Sequence, residues 1–325
     1  MNRKDPIEPG RLQRIRSGLL TWFRASARNL PWRRTRDPYR ILVSEIMLQQ
    51  TQVDRVIPYY ERFLASFPNV EALAAAPTAE VIRLWSGLGY NRRAVNLQRA
   101  ARAIVADHDG RFPETVAALE GLPGVGTYTA GAVAAFAFEQ DVAFLDTNMR
   151  RVVGRVAFGD STNDLPSPAH LLAAANQLVP KGNGWEWNQA LIEFGALHCT
   201  ARNPACVVCP LQQECRAFPI IQSSIAASRK PPQRSSPERF EESPRYFRGR
   251  IVEALRELPA NDDVGLTLAE LGPRVRPGFS SEDLPWLETL VSGLQRDGLA
   301  MVAEDEIEYD IAAPSGSAKR VRLPT

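Results

Sequence analysis

A chain of 325 residues with 44% hydrophobic content is long for one compact core and implies more than one domain. Its formal net charge of +2 marks it neither as a strongly basic nor as a strongly acidic protein. No apolar run approaches the roughly 18 residues of a membrane span, and the start MNRKDPIEPGRLQ has no apolar segment after its charges, so the expectation is a cytoplasmic protein without a secretory signal.

The first helix is expected over 11–29, where Leu12, Ile15, Leu19 and Trp22 recur at helical spacing, and LPW at 30–32 ends it. Further helices are expected at 39–50, 53–66, 70–75, 78–86, 91–107 and 114–120, punctuated by Pro, Gly and Asp. LPGVG at 122–126 precedes an apolar helix, LDTN at 145–148 precedes another, and more helix is expected at 167–179 and 185–197. Nothing in the first 219 residues alternates with period two, so this part reads as all-α. Residues 220–245, rich in Ser, Pro and charge, read as a linker. Residues 246–325 read as three helices closed by a hairpin, a winged-helix-like α+β module that binds DNA or docks a protein partner.

Charge divides unevenly. Residues 1–219 carry 25 Lys and Arg against 20 Asp and Glu, and residues 220–325 carry 14 against 17. The basic side chains are nearly all Arg, with Lys only at 4, 181, 230 and 319. Arg suits bidentate phosphate contacts, although biased codon usage produces the same enrichment. The acidic balance of the C-terminal module weakens its DNA-binding option.

All four cysteines lie in CTARNPACVVCPLQQEC: Cys199, Cys206, Cys209 and Cys215. Without export signals, disulfides are disfavoured. A metal site remains, either an iron–sulfur cluster or zinc, and the single C-x2-C pair favours the cluster. The LPGVGTYTAGAV stretch is either an ordinary turn between helices or a phosphate grip, because Gly124 and Gly126 permit close backbone approach to a helix N-terminus. In ILVSEIMLQQTQ, Glu45 sits on an apolar helix face with no Lys or Arg between residues 41 and 54. It is either a partly exposed carboxylate paired with an Arg from elsewhere or a desolvated carboxyl with a raised pKa.

The cysteine spacing x6, x2, x5 resembles the four-iron, four-sulfur loop of the endonuclease III family of DNA glycosylases, and LPGVG resembles that superfamily's helix-hairpin-helix. SEIMLQQTQ resembles the catalytic motif of its MutY-type adenine DNA glycosylases. The resemblance spans about 11–219. It implies an iron–sulfur cluster domain from 1–30 and 138–219, a helical barrel domain with the hairpin at 31–137, and one [4Fe–4S] cluster on the four cysteines, with Arg202 and Arg216 available to DNA. It implies a substrate of double-stranded DNA with a mispaired base, a monomeric enzyme and no membrane association. Glu45 would protonate the departing adenine, and Asp146, also a natural helix N-cap, would face the developing cation, oriented with the sugar by Tyr128 and Asn148. Trp32, Arg33, Leu48 and Gln189 would form the adenine pocket. Gln49, Gln50 and Tyr90 would enter the gap on the opposite-base side, and Leu122, Gly124 and Gly126 would hold the DNA backbone. Tyr128 stands where strand-cutting relatives carry a lysine, so the resemblance implies a monofunctional enzyme.

The chain departs from the MutY pattern at Thr147 of DTN and Asn91 after GLGY, and no Nudix-like C-terminal domain is legible. The rival readings are a thymine or uracil mismatch glycosylase of the same fold, which would lack QQTQ, and an iron–sulfur DNA-binding regulator, against which Glu45 and Asp146 argue.

Overall fold

The computed structural model describes residues 7–159, 166–221, 240–259, 264–304 and 319–325. The chain forms two compact units. One contains the residues up to Glu45 together with those from Phe112, and the other runs from Ile46 to Arg111 and resumes in the C-terminal part.

In the first unit, α1 (Pro9–Ser26) begins with Pro at its first position and Glu8 accepting from the Gly10 and Arg11 amides, both at 2.7 Å. Its buried stripe of Ile15, Leu19, Leu20 and Phe23 packs on α11 (Gly184–Leu197). Leu30 leads into a tight 3-10 turn, Pro31–Arg34. The short α7 (Val116–Glu120), capped by Thr115, turns into α8 (Thr127–Ala137). That helix is almost wholly buried, and its small residues let neighbours approach closely: a methyl on Gly131 would lie 2.6 Å from Phe144 Cβ. Asp146 caps α9 (Thr147–Val153), which continues into a π-helical turn, Gly154–Phe158. Ser167 caps α10 (Pro168–Leu178), whose last carbonyls accept from Arg16.

The helix α2 (Pro38–Leu48) gives Glu45 to the first unit and its last three residues to the second. There α3 (Val53–Ser66), α4 (Val70–Ala75), α5 (Thr78–Leu84) and α6 (Arg92–His108) bury Val56, Phe63, Leu73, Ile82 and Trp85. The C-terminal part adds α12 (Pro244–Arg256), β1 (Leu266–Thr267), α13 (Leu268–Val275), α14 (Leu284–Arg296), β2 (Met301–Glu304) and β3 (Lys319–Arg322). The strands form an antiparallel sheet in the order β1-β3-β2, with Leu266 and Val302 both opposite Val321. Its core of Ile251, Leu255, Leu271, Leu287, Val291 and Val321 is continuous with Ile82 and Val95 of α5 and α6. Arg256 ties the parts further, donating to the Ile82 carbonyl at 2.9 Å and to Asn91 Oδ1 at 2.9 Å.

The fold is therefore all-α with a small α+β module at the C-terminal end, as the patterning predicts. The differences are local. Helix α2 stops at Leu48 rather than 50, because Gln50 takes a left-handed conformation (φ 56°) that ends helical hydrogen bonding. Helix α1 ends at Ser26, not 29. β1 escaped the sequence reading because two residues cannot show a period-two pattern. The linker 220–245 lies mostly outside the described residues, but Phe240–Glu242 form a 3-10 turn and α12 already starts at Pro244. Among the described residues no helix is long and apolar enough to cross a membrane.

Candidate active site

Glu45 is 6% exposed, on a helix turn whose neighbours Ile41, Leu42, Ile46 and Met47 are all core. Burial pushes its carboxyl up to about 7. A hydrogen bond from the Tyr128 hydroxyl opposes the rise, the charge of Asp146 adds to it and that of Arg33 reduces it. The same enclosure holds the Tyr128 hydroxyl well above its usual range, so it remains a donor. Its ring meets Phe144 edge to face at 5.3 Å. The first unit thus brings Glu45, Tyr128 and Asp146 into one electrostatic neighbourhood, to which no lysine among the described residues contributes.

Asp146 is held by α9. Its Oδ1 accepts from the Met149 amide at 2.6 Å and its Oδ2 from Asn148 Nδ2 at 3.1 Å. Asn148 Oδ1 accepts in turn from Arg151 at 2.8 Å, and Arg151 also donates to the carbonyls of Gly195 and Cys199 at 2.6 and 2.8 Å. Gly195 permits this packing: a Cβ there would lie 2.9 Å from Asn148 Cβ. A continuous hydrogen-bonded line therefore runs from Asp146 to the first cysteine.

Arg33 and Gln189 meet directly, Nε to Oε1 at 2.7 Å. Behind them lies Glu193, wholly buried, which accepts from Arg28 at 2.8 Å and Arg33 at 3.0 Å. Burial alone would raise its carboxyl, but those guanidinium hydrogen bonds and the Arg28 amide outweigh it and hold it at about 2. Trp32 is core. Sequence reasoning missed Glu193, Arg28 and Arg151. For Glu193 a signal existed: it lies one helical turn after Gln189 on the apolar stripe of α11, the same mark that singles out Glu45.

The hairpin follows its expected geometry in part. Gly124 has φ 75°, whereas Gly126 is an ordinary N-cap (φ −95°) with open space around it. Gly126, having no side chain, leaves the N-terminus of α8 without a side-chain cap of its own. The Leu122 side chain is core rather than exposed to a ligand.

In the second unit, Leu48 and Gln49 are partly buried, while Gln50 and Tyr90 are exposed. Gln50 and Tyr90 share an uncommon left-handed backbone (φ 56° and 48°). A buried arginine that sequence reasoning missed holds both loops. Arg93 donates to the carbonyls of Ile46, Met47 and Gln49 at 2.9, 2.9 and 2.6 Å, and to those of Leu88 and Gly89 at 3.3 and 3.1 Å. Burial lowers its pKa to about 10, still leaving it charged at neutral pH.

None of the four cysteines is in a disulfide, and all border one small cavity with Arg155, Phe194 and His198. Among the described residues no three His, Cys, Asp or Glu side chains converge on a single-ion site. Arg155 donates to Cys199 Sγ at 3.5 Å and to the Thr200 carbonyl at 2.7 Å. The ring of His198 stacks on Phe194 at 4.8 Å, and its buried Nε2 lacks a hydrogen-bond partner among the described residues. Burial pushes the Cys209 thiol up to about 12, so a thiolate there requires a bound cation. A group with iron charge and sulfur acceptors fits these residues. Of the expected basic contacts, Arg202 is exposed and Arg216 donates to the Ala157 carbonyl at 2.7 Å.

Residues 43–181 match the HhH-GPD superfamily of base excision DNA repair proteins, and residues 199–215 match the iron–sulfur binding domain of endonuclease III. An adenine DNA glycosylase of Mycobacterium tuberculosis is 40% identical over 242 residues, which cover 74% of this chain and 78% of that protein. The chain belongs to the adenine DNA glycosylase family. A mouse adenine DNA glycosylase is 45% identical over 219 residues, and the matched region spans only 42% of its length, as it spans 45% of a rat relative. Among solved structures, a thermostable thymine-DNA glycosylase superposes with a TM-score of 0.61 at 33% identity, covering 65% of this chain and 98% of that one. An endonuclease III–DNA complex superposes with a TM-score of 0.56 at 24% identity and shares the fold. As a member of the adenine DNA glycosylase family with the endonuclease III iron–sulfur domain, the chain takes one [4Fe–4S] cluster as its cofactor.

Proposed function

We propose that the chain is a monofunctional adenine DNA glycosylase, releasing adenine mispaired with guanine or 8-oxoguanine from duplex DNA. The observation that carries this reading is the buried Glu45 carboxyl, raised to about 7 and hydrogen-bonded by Tyr128. An acid of that strength can protonate adenine N7 so that the base departs neutral. The sugar cation then faces the Asp146 carboxylate, and ionised Glu45 guides the attacking water, an acid and stabiliser pair of the kind glycosidases use. Asn148 orients Asp146; Arg33 and Gln189 belong to the base pocket with Trp32 and Leu48. Flipping the base out costs a few kcal/mol, least for a mispair, and Gln49, Gln50 and Tyr90 enter the gap. The backbone grip uses Gly124, Gly126 and the first N–H groups of α8, with Leu122 acting only through its main chain. Cys199, Cys206, Cys209 and Cys215 ligate the cluster.

The domain division at 30, 137 and 219 and a monomeric, nucleoid-bound state belong to the same reading, as does a protein partner for residues 246–325. The test is incubation of the purified protein with duplexes carrying A opposite 8-oxoguanine, A opposite G, T opposite G and U opposite G. Adenine is expected to be released, and Glu45→Gln to abolish release while DNA binding persists. The likeness to a thymine-DNA glycosylase at 33% identity favours a second reading, which release of T with A untouched would establish.

A further inference from the structure

Glu45 serves as an acid only while it keeps its proton, and the charge that works against this is that of Arg33. The Arg33 side chain is 8% exposed, so solvent screens it poorly. Three hydrogen bonds hold its guanidinium. Nε donates to Gln189 Oε1 at 2.7 Å, Nη1 to the Arg28 carbonyl at 2.9 Å and Nη2 to Glu193 Oε2 at 3.0 Å, with the Phe23 ring beneath at 5.4 Å. All three nitrogens are engaged, and among the described residues none of them donates to Glu45. Of the three acceptors only Glu193 carries a charge.

Glu193 has no exposed surface, and it gathers two arginines: Arg28 through Nε and Nη2, both at 2.8 Å, and Arg33. The two differ in what they lose without it. The Arg28 side chain is 33% exposed and reaches water, whereas Arg33 would become a buried cation without a counter-ion. The titratable and charged groups facing Glu45 are Tyr128, Asp146 and Arg33. Enclosure keeps the Tyr128 hydroxyl neutral, so it cannot balance a stranded guanidinium. Glu45 can, by giving up its proton.

We propose that Glu193 is a positioning residue for the acid: it neutralises Arg33 and pins the guanidinium on Gln189 and the Arg28 carbonyl, so that Glu45 holds the proton the departing adenine takes up. The inference rests on the proposed function for the identity of the acid. It gives α11 two tasks one helical turn apart, Gln189 toward the base pocket and Glu193 toward the charge behind it.

The test reads the protonation of Glu45 itself, in the full-length protein with its cluster, from the infrared carboxyl band that Glu45→Gln removes, titrated from pH 5 to 9. Glu193→Gln is expected to lower the midpoint by about one unit, the effect of one uncompensated opposite charge, and single-turnover excision at pH 8 by about tenfold relative to wild type. Adding Arg33→Gln to Glu193→Gln removes the stranded cation and is expected to restore the midpoint, even though base binding stays weak. A purely structural role for Glu193 would reduce the rate equally at every pH and leave the midpoint in place. Thermal unfolding and cluster absorbance check that each variant is folded. If Glu193→Gln does not fold, Glu193→Asp, whose carboxylate is withdrawn from Arg33 by one methylene, is expected to lower the midpoint by part of a unit. An unmoved midpoint in the folded variant, or a double variant that stays low, overturns the proposal. Because the band is read without substrate, a midpoint that falls and recovers in a protein releasing no adenine would sink the proposed activity while the coupling of Glu193 to Glu45 stands.

Discussion

Two buried carboxylates that both feel the charge of Arg33 behave in opposite ways, and hydrogen bonding decides which. Glu45 receives one hydrogen bond, from a neutral hydroxyl, and sits near the like charge of Asp146, so desolvation wins and its pKa rises to about 7. Glu193 receives two guanidinium partners, and attraction wins. The consequences for pH follow. Glu45 binds its proton more tightly folded than unfolded, so its contribution to stability is full below its ordinary 4.5 and is lost as pH rises through about 7. The loss is on the order of 3 kcal/mol. Denaturant titrations from pH 4 to 8 should show this slope in the wild type and not in Glu45→Gln, and single-turnover excision should fall over the upper part of the same range. Glu193 has the opposite sign: its contribution is present above 4.5 and is lost as pH falls toward about 2. Glu193→Gln strands two arginines, one of them buried, and should destabilise the protein by about 3 kcal/mol at pH 7. An unchanged urea midpoint would contradict the ion-pair account.

At the scale of elements, the loop after α2 and the loop before α6 are held within themselves by turn hydrogen bonds such as Thr51 N–H to the Leu48 carbonyl and Leu88 N–H to the Trp85 carbonyl. Arg93 joins the two loops to each other and lies at the carbonyl end of α2, where the helix dipole favours a cation. Arg93→Met keeps the packing volume but leaves several buried carbonyls without donors, at a cost of about 3 kcal/mol or more. Hydrogen exchange at Gln49, Gln50 and Gly89 should accelerate selectively; uniform protection would refute the clamp. In the first unit the small residues of α8 and α11 play the corresponding part. Gly131 and Gly195 admit Phe144 and Asn148 closely enough to fix the ring beside Tyr128 and the amide on Asp146.

On the scale of the whole molecule, the C-terminal module is continuous with the core of the second unit through Ile82 and Val95, which are 0% and 3% exposed. Ending the chain at residue 239 would expose both, at about 1.5–3 kcal/mol for each side chain, and would remove the Arg256 bonds to Ile82 and Asn91. The truncated protein is therefore expected to unfold at a lower temperature and to aggregate; an unaltered melting temperature would show the module to be an appendage.

Local chemistry in the chain determined much of this by itself. Apolar periodicity and Pro, Gly and Asx punctuation located the helices, because those signals act within a few residues. Cysteine spacing marked the cluster loop, and Glu45 betrayed itself as a charge on an apolar face. Only the tertiary structure decided which partners such residues meet. Arg33 serves Glu193 and Gln189 rather than pairing with Glu45, Arg151 links Asp146 to the cysteine loop, and Arg93 secures two loops distant in sequence. The physical reason is that burial and hydrogen bonding across long sequence separations depend on how helices pack, which no local pattern encodes.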